Sequence, residues 1–320
     1  MLEGHAAVAQ LNDAVGATMS RRLQRALVPA DTDGPGLRLE LWDEQESGRG
    51  PESLPEARDA LIRYGSHGEF LGLAPDEQLV RFAGPTFDIR LDRAANEAVG
   101  WMQSAAHLNW WHQARPLQTL FISWLAGQGR PVVHAAMVAR DGVGALLSGP
   151  SHSGKSTITA ACGAGGLDVC GDETIALEVT DDAIRGHTVH ATVKLRRPGL
   201  DRHPGLPVED VAAELREEVV AFLGEAFPDQ VIGTATIGAL CFPKLVDVPE
   251  TTWAPLPAGQ ALRELMSETL SAEPDLVAST FHVLSELAER VPAYRVWVGT
   301  DTARIPDGID GVISAATAVA

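Results

Sequence analysis

The chain is 320 residues long, enough for two domains or one large one, so a sizeable core can be buried without disulfide or metal staples. Apolar residues make up 45% and charged residues 21%, which excludes a disordered chain, and no uninterrupted apolar run approaches the roughly 18 to 20 residues of a membrane span. With 25 Lys and Arg against 43 Asp and Glu the net charge is −18, the wrong sign for wrapping nucleic acid or lying on anionic lipid, so any anion site must be local. Cys162, Cys170 and Cys241 are odd in number and lack C-x-x-C spacing, which points away from a disulfide framework or a structural zinc site. The opening MLEGHAAVAQ carries neither a basic nor an apolar signal region, and the expected location is a reducing cytoplasm.

Residues 9–27 have apolar positions at mixed three and four spacing, which predicts a helix, and LRLELW (37–42) alternates as a strand. The polar, acidic stretch 43–58 is broken by Gly and Pro and reads as an exposed loop. EFLGL, QLVRFAG and TFDIRL follow as short strands parted by turn residues, the pattern of a small antiparallel sheet. From Arg93 to about His112 the pattern reads as helical, with Trp101, Trp110 and Trp111, and Pro116 starts a second helix ending near Gly127. These tryptophans, with Trp124, read as packing residues. Beyond Gly129 the texture is strand (PVVHAAMVA), turn, strand (VGALLSG), a glycine loop, helix (STITAACGA), then strands LDVCG, TIALEV and TVHATVKLRR. A helix around 208–226, strand IGALCF, helices at about 258–268 and 274–290, strand AYRVWVG and a last helix from about Ala303 complete the chain.

Gly149-Pro150-Ser151-His152-Ser153-Gly154-Lys155-Ser156 matches G-x-x-x-x-G-K-[ST] completely, with an apolar strand before it and a helix after it. Glycines let successive N–H groups turn inward around a phosphate, and the following helix adds partial positive charge beneath it. Lys155 then reaches the β and γ phosphates, the Ser156 hydroxyl ligates Mg²⁺, and Thr157 bonds another phosphate oxygen. Sixteen residues beyond Ser156 the strand LDVCG runs into Asp172-Glu173, two acids suited to holding a metal and taking a proton from an attacking hydroxyl. Lys194, Arg196 and Arg197 form a local basic cluster able to neutralise a transferring phosphoryl group.

The run HAAMVARDGVGALLSGPSHSGKSTITAACGAGGLDVCGDETIALEV resembles the catalytic core of the HPr kinase/phosphorylase family and its looser serine-kinase relatives. The resemblance continues through HATVKLRRPGL and LAERVPAYRVWVGTD and covers roughly residues 115–318. It implies a phosphoenolpyruvate-carboxykinase-type α/β fold, with a histidine on the strand before the loop (His134), the phosphate loop (Gly149, Ser151, Ser153, Gly154, Lys155, Ser156, Thr157) and the acid pair. His134 is then expected to sit beside Asp172 and tune its proton affinity. Glu173 stands where Asp is usual, and no E-N-R-G-L-G-like signature follows, so HPr is not the expected substrate.

The expected architecture is therefore a smaller amino-terminal α+β region, residues 1–112, as the candidate for acceptor recognition, followed by a mixed-sheet kinase core at 113–320. The expected activity is transfer of the γ-phosphoryl group of ATP, with Mg²⁺, to a hydroxyl, a serine on a peptide or protein. A biosynthetic precursor peptide is among the acceptors that the resemblance implies. Asp172, His134 and Lys155 are the candidate catalytic residues, Lys194 and Arg196 join the loop in binding nucleotide, and Ser156, Glu173 and Asp172 hold the metal. Asp172 is read as the base and Glu173 as mainly a metal ligand, but a one-residue register at a strand end would exchange them. A small-molecule kinase and a non-catalytic ATP-sensing module are the rival readings, and the oligomeric state stays open.

Overall fold

The computed structural model describes residues 10–11, 17–27, 36–54, 61–64, 70–73, 78–108, 113–210, 217–270 and 277–318. The chain divides into two compact units, Met1–Gln128 and Gly129–Ala320. The first takes in the helix after Pro116, which the sequence reading had grouped with the kinase core.

The first unit is a sheet with helices. In chain order its elements are β1 (Gln10–Leu11), α1 (Ala17–Ala26), β2 (Arg38–Asp43), α2 (Glu44–Ser47), β3 (Leu61–Tyr64), β4 (Phe70–Leu73), β5 (Leu79–Gly84), β6 (Phe87–Asp92), β7 (Glu97–Met102) and α3 (Gln118–Gly127). The strand order is β1-β2-β7-β6-β5-β4-β3. The expected sheet is present but mixed: β3 to β7 form an antiparallel meander, while β2 runs parallel to both β7 and β1.

Three expectations change here. Among the described residues of the predicted helix over 9–27, Gln10–Leu11 is instead a strand paired with β2, and Ala17–Ala26 is helical. The loop after Trp42 holds a helical turn, because buried Asp43 accepts hydrogen bonds from the N–H groups of Gln45 and Glu46 and caps it. The segment read as helical from Arg93 contains β7, in which Ala98, Gly100 and Met102 alternate inward between β2 and β6. Trp101 lies on the opposite face and its indole donates to Glu44. Trp124 is buried on α3 and donates to Asn96 Oδ1 at 2.7 Å. Trp110 and Trp111 lie outside the described residues.

The second unit is a mixed α/β structure with a mixed sheet. Its elements are β8 (Val132–Val133), β9 (Ala135–Arg140), β10 (Val143–Ser148), α4 (Lys155–Ala164), β11 (Asp168–Gly171), β12 (Ile175–Val179), β13 (Ile184–Thr188), β14 (Thr192–Arg196), β15 (Glu218–Phe222), α5 (Leu223–Ala226), β16 (Thr234–Leu245), β17 (Thr252–Leu256), α6 (Ala258–Leu270), α7 (Val277–Arg290), β18 (Ala293–Val298) and α8 (Ile305–Thr317). The main strand order is β11-β9-β10-β16-β13-β12-β8. β10 is antiparallel to β9 and parallel to β16, and the long β16 pairs β13 over its first residues and β18 over its last.

Alternation along β9 explains how helices cover this sheet twice. Ala135, Met137 and Ala139 join Leu146, Phe242, Leu265, Leu284 and Leu287 in one buried cluster beneath α6 and α7. Ala136 and Val138, also buried, point the other way, and α4 and α8 pack against each other and against β9. The helix expected over 208–226 is replaced in its second half by β15, paired antiparallel with β14. The apolar run Val219, Val220, Ala221 and Phe222 suits either state, and the partner strand decides. Among the described residues no helix is long and apolar enough to cross a membrane.

Candidate functional site

The glycine loop joins β10 to α4. Gly154 is the residue before the helix and has φ of +113°, a conformation that a side chain disfavours, and a Cβ there would meet Leu245 Cδ2 at 3.0 Å. The first intrahelical bond is Ile158 N–H to the Gly154 carbonyl, so the N–H groups of Lys155, Ser156 and Thr157 precede the ladder at the positive end of the helix. His152 also takes a positive φ, +68°, within the turn.

Beside this loop lies a cavity of about 430 Å³ lined by Ser151, His152, Gly154, Lys155, Ser156 and Thr157. His134, Glu173, Lys194 and Arg196 also reach it, from three other stretches of the chain. The structure therefore brings most of the predicted set together. His134 does so because the predicted continuous strand bends there, between β8 and β9. Gly149, Ser153 and Asp172 do not line the cavity. Gly149 offers its carbonyl to Lys155 Nζ at 2.6 Å, and Pro150 offers a second at 3.3 Å. Ser153 is buried in the loop, and its hydroxyl has no partner among the described residues.

Asp172 is only 1% exposed and meets the cavity through Ser156, whose hydroxyl donates to Asp172 Oδ2 at 2.7 Å. Glu173, the next residue, sits at φ +70°, a strained backbone for a residue of this type, and faces the cavity. Lys194 Nζ stands 3.4 Å from Glu173 Oε1 and 3.7 Å from Glu218 Oε2. Burial pushes the Lys155 ammonium below the usual lysine pKa, against the pull of Asp172 and Glu173. The basic cluster is less uniform than its sequence suggests. Arg196 points to Glu217 at 2.7 Å, and Arg197 is held by Asp210 away from the cavity lining.

Sequence reasoning missed Glu218, Arg202 and His203, which also line the cavity. Glu218 was concealed inside a segment read as helix. Arg202 and His203 belong to a 3₁₀ turn, Arg197–Arg202, and the residue after it, with no periodicity to flag them.

Two carboxylates and a hydroxyl stand at one corner, and among the described residues no group of three or more His, Cys, Asp or Glu side chains is arranged as a metal cage. Mg²⁺ on a nucleotide needs no such cage, because it is held by one or two carboxylates together with substrate phosphates and water. The donors present therefore fit that ion. Ser153's buried hydroxyl and the helix N-terminus fit an anion beside it.

No family model matches this chain, and no curated protein matches it in sequence. Among solved structures, the HPr(Ser) kinase/phosphatase from Coxiella burnetii is a weak neighbour: the TM-score is 0.34 and the identity 12%, covering 59% of this chain and 97% of that one.

Proposed function

We propose that this chain is an ATP-dependent kinase of the HPr-kinase-like type, transferring the γ-phosphoryl group to a serine hydroxyl of a peptide or protein. The observation that carries the reading is Lys155 at a glycine-loop helix N-terminus, with the Ser156 hydroxyl in the same cavity wall hydrogen-bonded to Asp172 buried behind it. A generic helix cap accounts for the glycines but not for this lysine, hydroxyl and carboxylate together.

Ser156 and Asp172 are the residues that would hold Mg²⁺, which when bound neutralises charge on the phosphates. Lys155 leaves the Gly149 and Pro150 carbonyls to meet phosphate oxygen, with the first-turn N–H groups of α4 beside it. Of the two assignments that the sequence left open, the geometry favours Glu173 as proton acceptor. A general base must come within hydrogen-bond reach of the acceptor hydroxyl, and Glu173 lines the cavity whereas Asp172 is buried behind Ser156. Lys194 orients Glu173, and His134 flanks the same space. In-line transfer asks mainly for positioning and charge stabilisation, which this set supplies.

The test is incubation of the full chain with γ-labelled ATP, Mg²⁺ and a pool of serine-containing peptides, followed by mass spectrometry. Phosphate on peptide, lost in Lys155→Ala, supports the reading. Label on a metabolite instead moves the chain to the small-molecule kinases. ATP bound without any transfer leaves the ATP-sensing module.

A further inference from the structure

A second cavity, of about 440 Å³, adjoins the phosphate-binding one. Ala160, Ala161 and Ala164 of α4 line it together with Leu206, Phe227 and Pro306. Two close approaches shape it. A Cβ on Gly163 would stand 2.6 Å from Phe227 Cδ2, and one on Gly165 would collide with the Pro306 ring, so both apolar rings reach α4 only because those positions are glycine. Arg202 and His203 line both cavities and form the wall between them. Arg196 and Arg197 each have a carboxylate partner, whereas the Arg202 guanidinium has none among the described residues.

We infer that this second cavity seats an apolar side chain of the acceptor polypeptide, two to four residues from the phosphorylated hydroxyl, with Arg202 meeting acceptor carbonyl or phosphoryl oxygen between them; this rests on the kinase reading above. The spacing comes from the helix. Ala160 to Ala164 lie five to nine residues beyond Lys155, roughly 7 to 14 Å along the axis. An extended peptide covers that distance in about two to four residues. Away from Arg202 and His203, which stand at the border with the first cavity, the walls suit an aliphatic or aromatic side chain better than a purine, whose edge needs hydrogen-bond partners: the Thr302 hydroxyl there already donates to the Arg202 carbonyl at 2.9 Å. A metabolite too small to span Arg202 leaves this cavity unused.

The experiment is a positional scan with the full chain, γ-labelled ATP and Mg²⁺. Serine peptides carry Leu, Ala or Asp in turn at each position up to five residues on either side. The expected result is a preference for Leu over Asp of roughly tenfold or more at one position two to four residues from the serine. Ala164→Arg, at an exposed helix end, and Leu206→Asp should each abolish that preference while leaving Mg-ATP affinity unchanged. Equal labelling across the scan, or a preference that survives both variants, overturns the inference. So does label on metabolites alone, or a changed ATP-over-GTP selectivity in Ala164→Arg, which would give the cavity to the nucleotide base. If Lys155→Ala retains full nucleotide affinity, the kinase reading fails and this inference falls with it. If transfer depends on Lys155 but shows no positional preference, only the inference fails.

Discussion

One α/β unit holds two clusters of acids, cations and histidine, and they differ in what surrounds them. At the glycine loop, Lys155, Glu173, Lys194 and His134 open onto a cavity, and Lys155 is bonded to backbone carbonyls that a ligand can replace. Around β12 and β13, Arg130 and His187 close onto the two oxygens of Glu178, at 2.9 and 3.3 Å, and none of the three lines that cavity. Burial, only partly offset by Glu178, holds His187 neutral with a pKa of about 4. Burial alone would raise Glu178, but the Arg130 hydrogen bond and the positive charge nearby together outweigh it and keep the carboxylate below its usual range. Similar side chains thus make a candidate site in one place and a sealed structural cluster in the other. Access and replaceable partners separate them, not residue type.

The sharpest way to break this comparison is at Glu173. Glu173→Gln should lower phosphotransfer by on the order of 10²- to 10⁴-fold with ATP affinity retained, and Asp172→Asn should instead raise the Mg²⁺ requirement. Turnover titrated against Mg²⁺ in both variants checks the pair. The reverse pattern would restore Asp172 as the base, and full activity in both would remove the acids from the chemistry.

Lys155→Ala should cost on the order of 10²- to 10³-fold in transfer and weaken nucleotide binding, read by calorimetric titration, with little change in urea midpoint. Glu178→Gln should do the opposite. It leaves the Arg130 charge half-buried without its partner and should lower stability by about 1 to 3 kcal/mol in urea unfolding while nucleotide binding is unchanged. A loss of nucleotide affinity in Glu178→Gln would dissolve the distinction between the two clusters.

Acid should act on the sealed cluster. Below about pH 6.5 an unfolded histidine binds a proton that folded His187 refuses until about pH 4, so its contribution to stability is lost as pH falls through that window. Urea midpoints at pH 7 and 5 should differ less in His187→Gln than in the parent chain. The smallest effect belongs to an exposed network. Arg304 meets Glu250 and Asp301 with its side chain 58% exposed, and Arg304→Ala should shift stability by no more than about 0.5 kcal/mol in the same assay.

Strand β9, β10, the loop and α4 were legible because each carries its own local signal: alternating or continuous apolar runs, a turn at Asp141-Gly142, and a motif whose glycines and lysine have fixed spacing. β7 and β15 were not. Their apolar residues fit a helical or an extended period, and the choice was made by pairing: β7 with the adjacent β6 and the distant β2, and β15 with β14 some twenty residues earlier. Glu218 disappeared from view with β15, and it entered the cavity beside Lys194 only once those strands paired.

The sequence by itself marked a candidate anion site, local in an acidic chain and centred on Gly149 to Thr157, because backbone conformation at glycine and charge at lysine depend on the residues themselves. It also named the acid pair, but not which acid faces the cavity. That was decided by the turn after β11, where Asp172 swings under Ser156 and Glu173 adopts a left-handed backbone toward the cavity. Side-chain direction at a strand end is set by what packs around the turn, which neighbouring letters do not encode. Arg202 and His203 likewise became site residues only through tertiary structure, since a turn with no periodic pattern acquires a role when folding lays it between two cavities.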